Sequence, residues 1–136
     1  MFADGDGVPL AMVITGANRH DVSQLETLLG CVIMARPDPF EHPQNLCLDK
    51  GYAGEPALEA VVLRGFVPHI KSRGEEQSTI AQDPTYKARR WVVEVTHSWM
   101  NRFRKFLVRY EKLTTTYKAL LMLSCAFIVL RKAGVI

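Results

Sequence analysis

Two carboxylates in this chain of 136 residues have neighbours that suit phosphate chemistry. Asp49 ends the short run Asn45-Leu46-Cys47-Leu48 and begins the turn Lys50-Gly51-Tyr52-Ala53-Gly54. Sites in open α/β sheets gather outside the carboxyl ends of strands. A carboxylate there can reach a metal while two glycines leave space for substrate. It can equally serve as a turn or capping aspartate. Glu94 lies in a basic helical stretch. At roughly 100° per residue, Arg90, Glu94, His97, Asn101, Arg104 and Lys105 share the face opposite Trp91, Val95, Trp99 and Phe103. One carboxylate in a stripe of donors and cations suits a metal ligand flanked by groups that hold phosphates. It also suits a helical ion pair with Arg90 one turn earlier.

Other chemistries are poorly supported. His20 and Asp21 are adjacent on a strand-to-helix turn, where Asp21 reads as a helix cap rather than half of an acid/base pair. His69 and His97 lack ligand spacing with any cysteine, which argues against zinc. There is no phosphate-binding loop, dinucleotide fingerprint or Gly-x-Ser-x-Gly elbow. Cys31, Cys47 and Cys125 show no metal-like spacing and read as reduced, buried thiols of a cytoplasmic protein.

The elements that must position the two carboxylates can be read from period and punctuation. Asp4-Gly5-Asp6-Gly7 is a turn, followed by a strand over Leu10 to Thr15. Asp21 caps a helix from Val22 to about Ile33. Three prolines between Ala35 and Gln44 make a loop. A second strand covers Asn45 to Leu48. A helix starts around Pro56 and stops at Gly65. Phe66 to Ile70 is a third strand, placed at an edge by Pro68. Lys71 to Thr85 is polar without an apolar period and reads as a loop. Tyr86 to about Leu107 is helical, with Trp91, Val95, Trp99, Phe103 and Phe106 as its core-facing stripe. Thr114 caps a last helix from Thr115 to about Lys132. Alternating strands and helices argue for an α/β fold with helices packed on a sheet.

Composition supports an ordinary globular chain, 48% hydrophobic and 23% charged. The longest apolar stretch, Ala119 to Leu130, is short of the roughly 20 residues of a membrane span and reads as a buried helix. The first six residues do not resemble a signal peptide. The net charge of +3 hides a split. Residues 1–84 carry 6 Lys/Arg against 12 Asp/Glu, whereas residues 85–112 carry 8 against 2. A basic segment beside an acidic one suits a polyanionic partner, most simply nucleic acid, although a solvated basic helix has the same composition.

Five motifs in order then become specific together: Asp6-Gly7-Val8-Pro9-Leu10, Gly16-Ala17-Asn18-Arg19-His20-Asp21, Leu48-Asp49-Lys50-Gly51-Tyr52, Arg90-Trp91-Val92-Val93-Glu94 and Trp99-Met100-Asn101-Arg102-Phe103-Arg104. Over essentially its whole length the chain resembles the DDE-type transposases of bacterial insertion sequences. The resemblance implies an RNase H-like, retroviral-integrase-like catalytic core whose central sheet is packed by helices. It implies three carboxylates holding two Mg²⁺ (or Mn²⁺) ions, with Asp49 as the second aspartate and Glu94 as the glutamate. Arg90 corresponds to the arginine of the glutamate signature. Asn101 stands where the family has a lysine, and Arg102 and Lys105 are the cations nearest to that role. With Arg104, these residues are the expected DNA contacts.

The family's first aspartate lies on a strand before the Asp-Gly turn. Asp4 and Asp6 belong to the turn itself, so the chain reads as one partial catalytic domain that is truncated at its N-terminus. The resemblance implies transposon ends and target DNA as partners, no membrane, and either a homo-oligomer or an upstream-frame transposase half. The competing reading is an inactive remnant that binds DNA or oligomerises and so inhibits a full-length enzyme.

The basic segment generates a first prediction. The chain should bind duplex DNA with little sequence preference, and affinity should fall steeply with added salt because binding releases counterions. Fluorescence anisotropy at two salt concentrations checks this, and a binding curve that salt leaves unchanged would contradict it.

Overall fold

The computed structural model describes residues 1–16, 18–70, 73–83, 91–106 and 108–136. The chain divides into two compact units. One combines Met1–Ile14 with Trp91–Ile136, and the other is Thr15–Arg90.

In the first unit, strands β1 (Phe2–Ala3) and β2 (Pro9–Ala11) form an antiparallel pair. Asp4 builds the turn between them. Its Oδ1 accepts the backbone N–H groups of Asp6 and Val8 at 2.9 and 2.8 Å. Gly7 has φ of 81°, a left-handed conformation that a Cβ would strain. The expected strand through Thr15 is therefore shorter than read. Beyond Ala11 the chain leaves the ladder, although Met12 and Ile14 still pack on the core.

Helix α4 (Trp91–Asn101) packs beneath this hairpin. Its buried residues are Val92, Thr96 and Met100, one face at spacings of four. The expected stripe is rotated as a result: Trp91 is 50% exposed, while Trp99 and Phe103 remain against the core. The cause is Thr96, which is fully buried at 0% exposure. Its hydroxyl donates to the Gly7 carbonyl at 2.7 Å and also lies 3.1 Å from the Val92 carbonyl. Satisfying a buried polar group fixed the helix rotation, which apolar periodicity alone misjudged.

α4 ends at Asn101, and Arg104–Phe106 form a separate 3-10 turn. The expected helix from Tyr86 to Leu107 is thus broken. Its beginning lies outside the described residues. Helix α5 (Thr114–Lys132) closes the unit by burying Leu121, Ser124 and Ile128. Thr114 is inside the helix, and the cap position is Leu113, which makes no side-chain bond. At the other end, Gly134 (φ 70°) gives a hydrogen-bonded stop, with Val135 N–H on Leu130 O and Gly134 N–H on Arg131 O. α5 is long and apolar enough, by length and composition alone, to cross a membrane. It was expected to be a buried helix, yet only one face enters the core.

In the second unit, a 3-10 turn at Asp21–Gln24 leads into α1 (Leu25–Gly30), which buries Leu25 and Leu29. The expected long helix is shorter, and Asp21 is not its cap. Gln24 occupies that position without a side-chain cap bond, and His20 precedes the 3-10 turn, also without one. Strands β3 (Gln44–Leu48) and β4 (Phe66–Ile70) pair in parallel, with Leu46 opposite Pro68. Helix α2 (Glu55–Leu63) makes the crossover, as its opening Pro56 and the later Gly65 (φ 73°) foretold. Leu46, Ala57, Val61 and Phe66 form the buried interior with α1. Arg36 spreads over the Phe66 ring at 4.0 Å and donates to the Arg64 carbonyl.

Two expectations fail here. Residues 73–82, read as loop, form helix α3 (Arg73–Gln82). The segment has no apolar stripe, but Arg, Glu, Gln and Ala carry good helix propensity. The cysteines are not buried either. Cys31 and Cys47 are exposed and Cys125 is half-buried. Alternation along β3 turns Cys47 outward beside the buried Leu46.

The Thr96 bond generates a stability prediction. Thr96→Val keeps the side-chain shape but leaves the buried Gly7 carbonyl without its donor. It should cost about 1–3 kcal/mol. Urea unfolding should show a lower midpoint, whereas Thr96→Ser, which keeps the hydroxyl donor, should avoid much of that loss.

Candidate functional site

Asp49 stands immediately beyond the carboxyl end of β3, as its sequence context indicated. It caps the 3-10 turn Lys50–Tyr52, with Oδ1 accepting the Gly51 N–H at 2.8 Å. That bond fixes one carboxylate oxygen and so orients the group. A Cβ at Gly51 would approach Oδ1 to 2.9 Å, so a side chain there would displace the carboxylate from this position. The turning role and an orienting role therefore coexist in the same side chain.

Tyr52 follows on this turn. Burial pushes its phenol above the ordinary range, and the negative charges of Asp21 and then Asp49 act in the same direction. Asp21 thus shares the electrostatic surroundings of Tyr52 with Asp49. Sequence reasoning treated Asp21 only as a cap and Tyr52 only as part of a motif. The signal available was their position in two separate strand-end turns.

Glu94 belongs to the other unit, on α4. It is exposed and lies opposite the Val92–Thr96–Met100 face. His97 lies beside that polar face, and partial burial lowers its pKa from the ordinary value, favouring the neutral ring. Arg90 lies outside the described residues. Asn101 is the exposed last residue of α4.

Arg102, Arg104 and Lys105 are also exposed, but the break after Asn101 changes their directions. They do not continue Glu94's helical stripe. Arg102 lines one groove against α5, and Arg104 and Lys105 line an adjoining one. Arg131 and Lys132, at the end of α5, join Arg102 in the first groove. Lys132 also places its Nζ 4.4 Å from the centre of the Trp99 ring. Neither cation stood among the expected DNA contacts, since Arg131 counted only toward the overall charge and Lys132 marked the end of the last helix.

The donor chemistry is hard oxygen from carboxylates, which suits Mg²⁺ or Mn²⁺ better than soft metals. Among the described residues no three His, Cys, Asp or Glu side chains gather into a metal-binding group. Each unit instead contributes one exposed candidate carboxylate, with cations concentrated near Glu94's end of the sequence.

Comparison with known proteins bears directly on these residues. Residues 46–131 match the family described as "Transposase DDE domain". The stretch contains Asp49, Glu94 and all the candidate DNA contacts. A Burkholderia cepacia protein named "Putative transposase for insertion sequence element IS402" is 36% identical over 132 residues, covering 94% of this chain and 60% of that protein. The chain therefore spans less than two thirds of that relative's length. No solved structure matches. With the family match covering most of its length and both candidate carboxylates, the chain belongs to the DDE-type transposases of insertion sequences.

Proposed function

We propose that this chain is the C-terminal part of an RNase H-like catalytic core that carries out DNA transposition by hydrolysing phosphodiesters and transferring strands. The observation that carries this reading is the family match over residues 46–131, which includes a strand-end aspartate and an exposed helical glutamate. Asp49 and Glu94 would hold the divalent ions. When bound, a Mg²⁺ or Mn²⁺ pair supplies activation of the attacking oxygen and stabilisation of the leaving oxygen. Asp49's bond to Gly51 pre-orients its carboxylate for that task. Arg90, Asn101, Arg102, Arg104 and Lys105 would hold transposon ends and target DNA by the backbone rather than read bases. The complete assembly would include a homo-oligomer or an upstream-frame half, and would act in the bacterial cytoplasm.

A second reading has its own support. Among the described residues there is no three-ligand metal group. The chain alone would then be an inactive, DNA-binding or oligomerising fragment that inhibits the full-length enzyme.

Three experiments test these readings. The 136-residue chain by itself should not join DNA strands in Mg²⁺. In a complete protein that supplies the first aspartate, Glu94→Gln should abolish strand transfer while leaving DNA affinity within about threefold, because it removes charge at the ions rather than the phosphate contacts. A parallel loss of affinity would mark Glu94 as structural. A Mg²⁺-loaded structure of that complete protein should bring the Asp49 and Glu94 carboxyl groups within roughly 4–8 Å, as two ions about 3.5–4 Å apart require. A separation beyond about 12 Å would remove the shared-metal reading.

A further inference from the structure

Helix α5 has an apolar surface that its core does not use. Leu121 and Ile128 are buried, whereas Leu123 and Phe127 are 67% and 44% exposed. This outer surface and the segment after α4 enclose two grooves, of about 400 and 490 Å³. Those volumes fall in the range of ligand clefts. Phe103 and Phe127 line both grooves, and their rings meet edge to face with centroids 5.8 Å apart. The aromatic pair is therefore a ridge between the two. Arg102, Arg131 and Lys132 stand around the first groove, and Arg104 and Lys105 around the second. Among the described residues that line the grooves, none is a carboxylate.

Apolar walls rimmed only by cations are poorly suited to a second copy of the same face. A two-fold pairing would bring the same cations together. The surface is complementary to a polyanion that brings flat apolar groups of its own. Nucleic-acid strands with unpaired bases have that chemistry, since each base offers a stacking face and each linkage a negative charge. In a duplex those faces are already stacked within the helix.

We propose that these grooves bind an unpaired DNA strand, with bases stacking on Phe127 and phosphates held by Arg102, Arg104, Lys105, Arg131 and Lys132. This rests on the proposed DNA-handling role and adds to it a preference for single strands and a base-stacking residue. The ridge offers a ring to each groove, so neighbouring bases could be held on its two sides with cations near both.

The test measures binding of the full chain to a short single-stranded oligodeoxynucleotide, the same oligonucleotide with abasic positions, and the matching duplex, at one salt concentration. Phe127→Ala should weaken single-strand binding about tenfold, the scale of one lost base stack, and leave duplex binding within about twofold. The abasic strand should bind the native chain as weakly as the ordinary strand binds the variant. Phe127→Trp should preserve binding. Phe127→Leu, which keeps apolar bulk, should lose it and so separate stacking from folding.

Equal affinity for abasic and ordinary strands would overturn the proposal. So would equal losses for single strand and duplex, a dimer that Phe127→Ala converts to monomer in sedimentation, or a Phe127-dependent affinity for anionic lipid vesicles without the strand effect. A chain that binds duplex in a salt-dependent way but fails the abasic comparison loses these grooves and keeps its wider DNA role. A chain that binds neither form loses both.

Discussion

The hydrogen bond from the Thr96 hydroxyl to the Gly7 carbonyl joins positions 89 residues apart and sets the rotation of α4. Its donor has no exposure to solvent. The carbonyl belongs to a turn whose geometry requires Gly7's positive φ and the two N–H groups gathered by Asp4. A short hairpin of this kind contributes little stability alone. Packed on α4, it places Thr96 inward and Glu94 on the opposite side. The position of an acidic side chain thus depends on a neutral hydroxyl buried beneath it.

The same unit separates apolar packing from cationic presentation. Met100, Leu121 and Ile128 hold α4 and α5 together, with Trp99, Phe103, Phe106 and Tyr117 around them. Phe103 contacts both Phe106 and Phe127 edge to face. Arg102, Arg104 and Lys105 are carried on the backbone between these anchored rings. Each of these cations is exposed, while the aromatic residues beside it in the chain are packed on the core. Such an arrangement keeps charge at the surface, where it can meet phosphates.

Parts of this design were legible in the residues. Gly51 and Gly54 after an apolar run marked the turn at Asp49, and Pro56 with Gly65 bounded α2, because these signals act locally. Glu94's polar face was visible for the same reason. The rotation that exposes Trp91 was not visible, since it depends on Thr96 finding a carbonyl in a distant turn. The helix break that redirects Arg104 and Lys105 was hidden because Phe103 and Phe106 still fit a helical spacing. α3 escaped notice because its residues favour helix without an apolar stripe. Nothing in local periodicity relates Asp49 to Glu94, so any partnership between them was readable only through family resemblance.

The bond between Asp49 and Gly51 has a consequence for how this position is interrogated. Truncation to alanine would remove a charge and a turn closure in one stroke, and a dead protein would reveal neither function. Asparagine retains an amide oxygen that can accept the same N–H while discarding the negative charge. The architecture and the electrostatics of this corner are thus genetically separable, because the backbone needs only an acceptor from a side chain whose chemistry would need an anion.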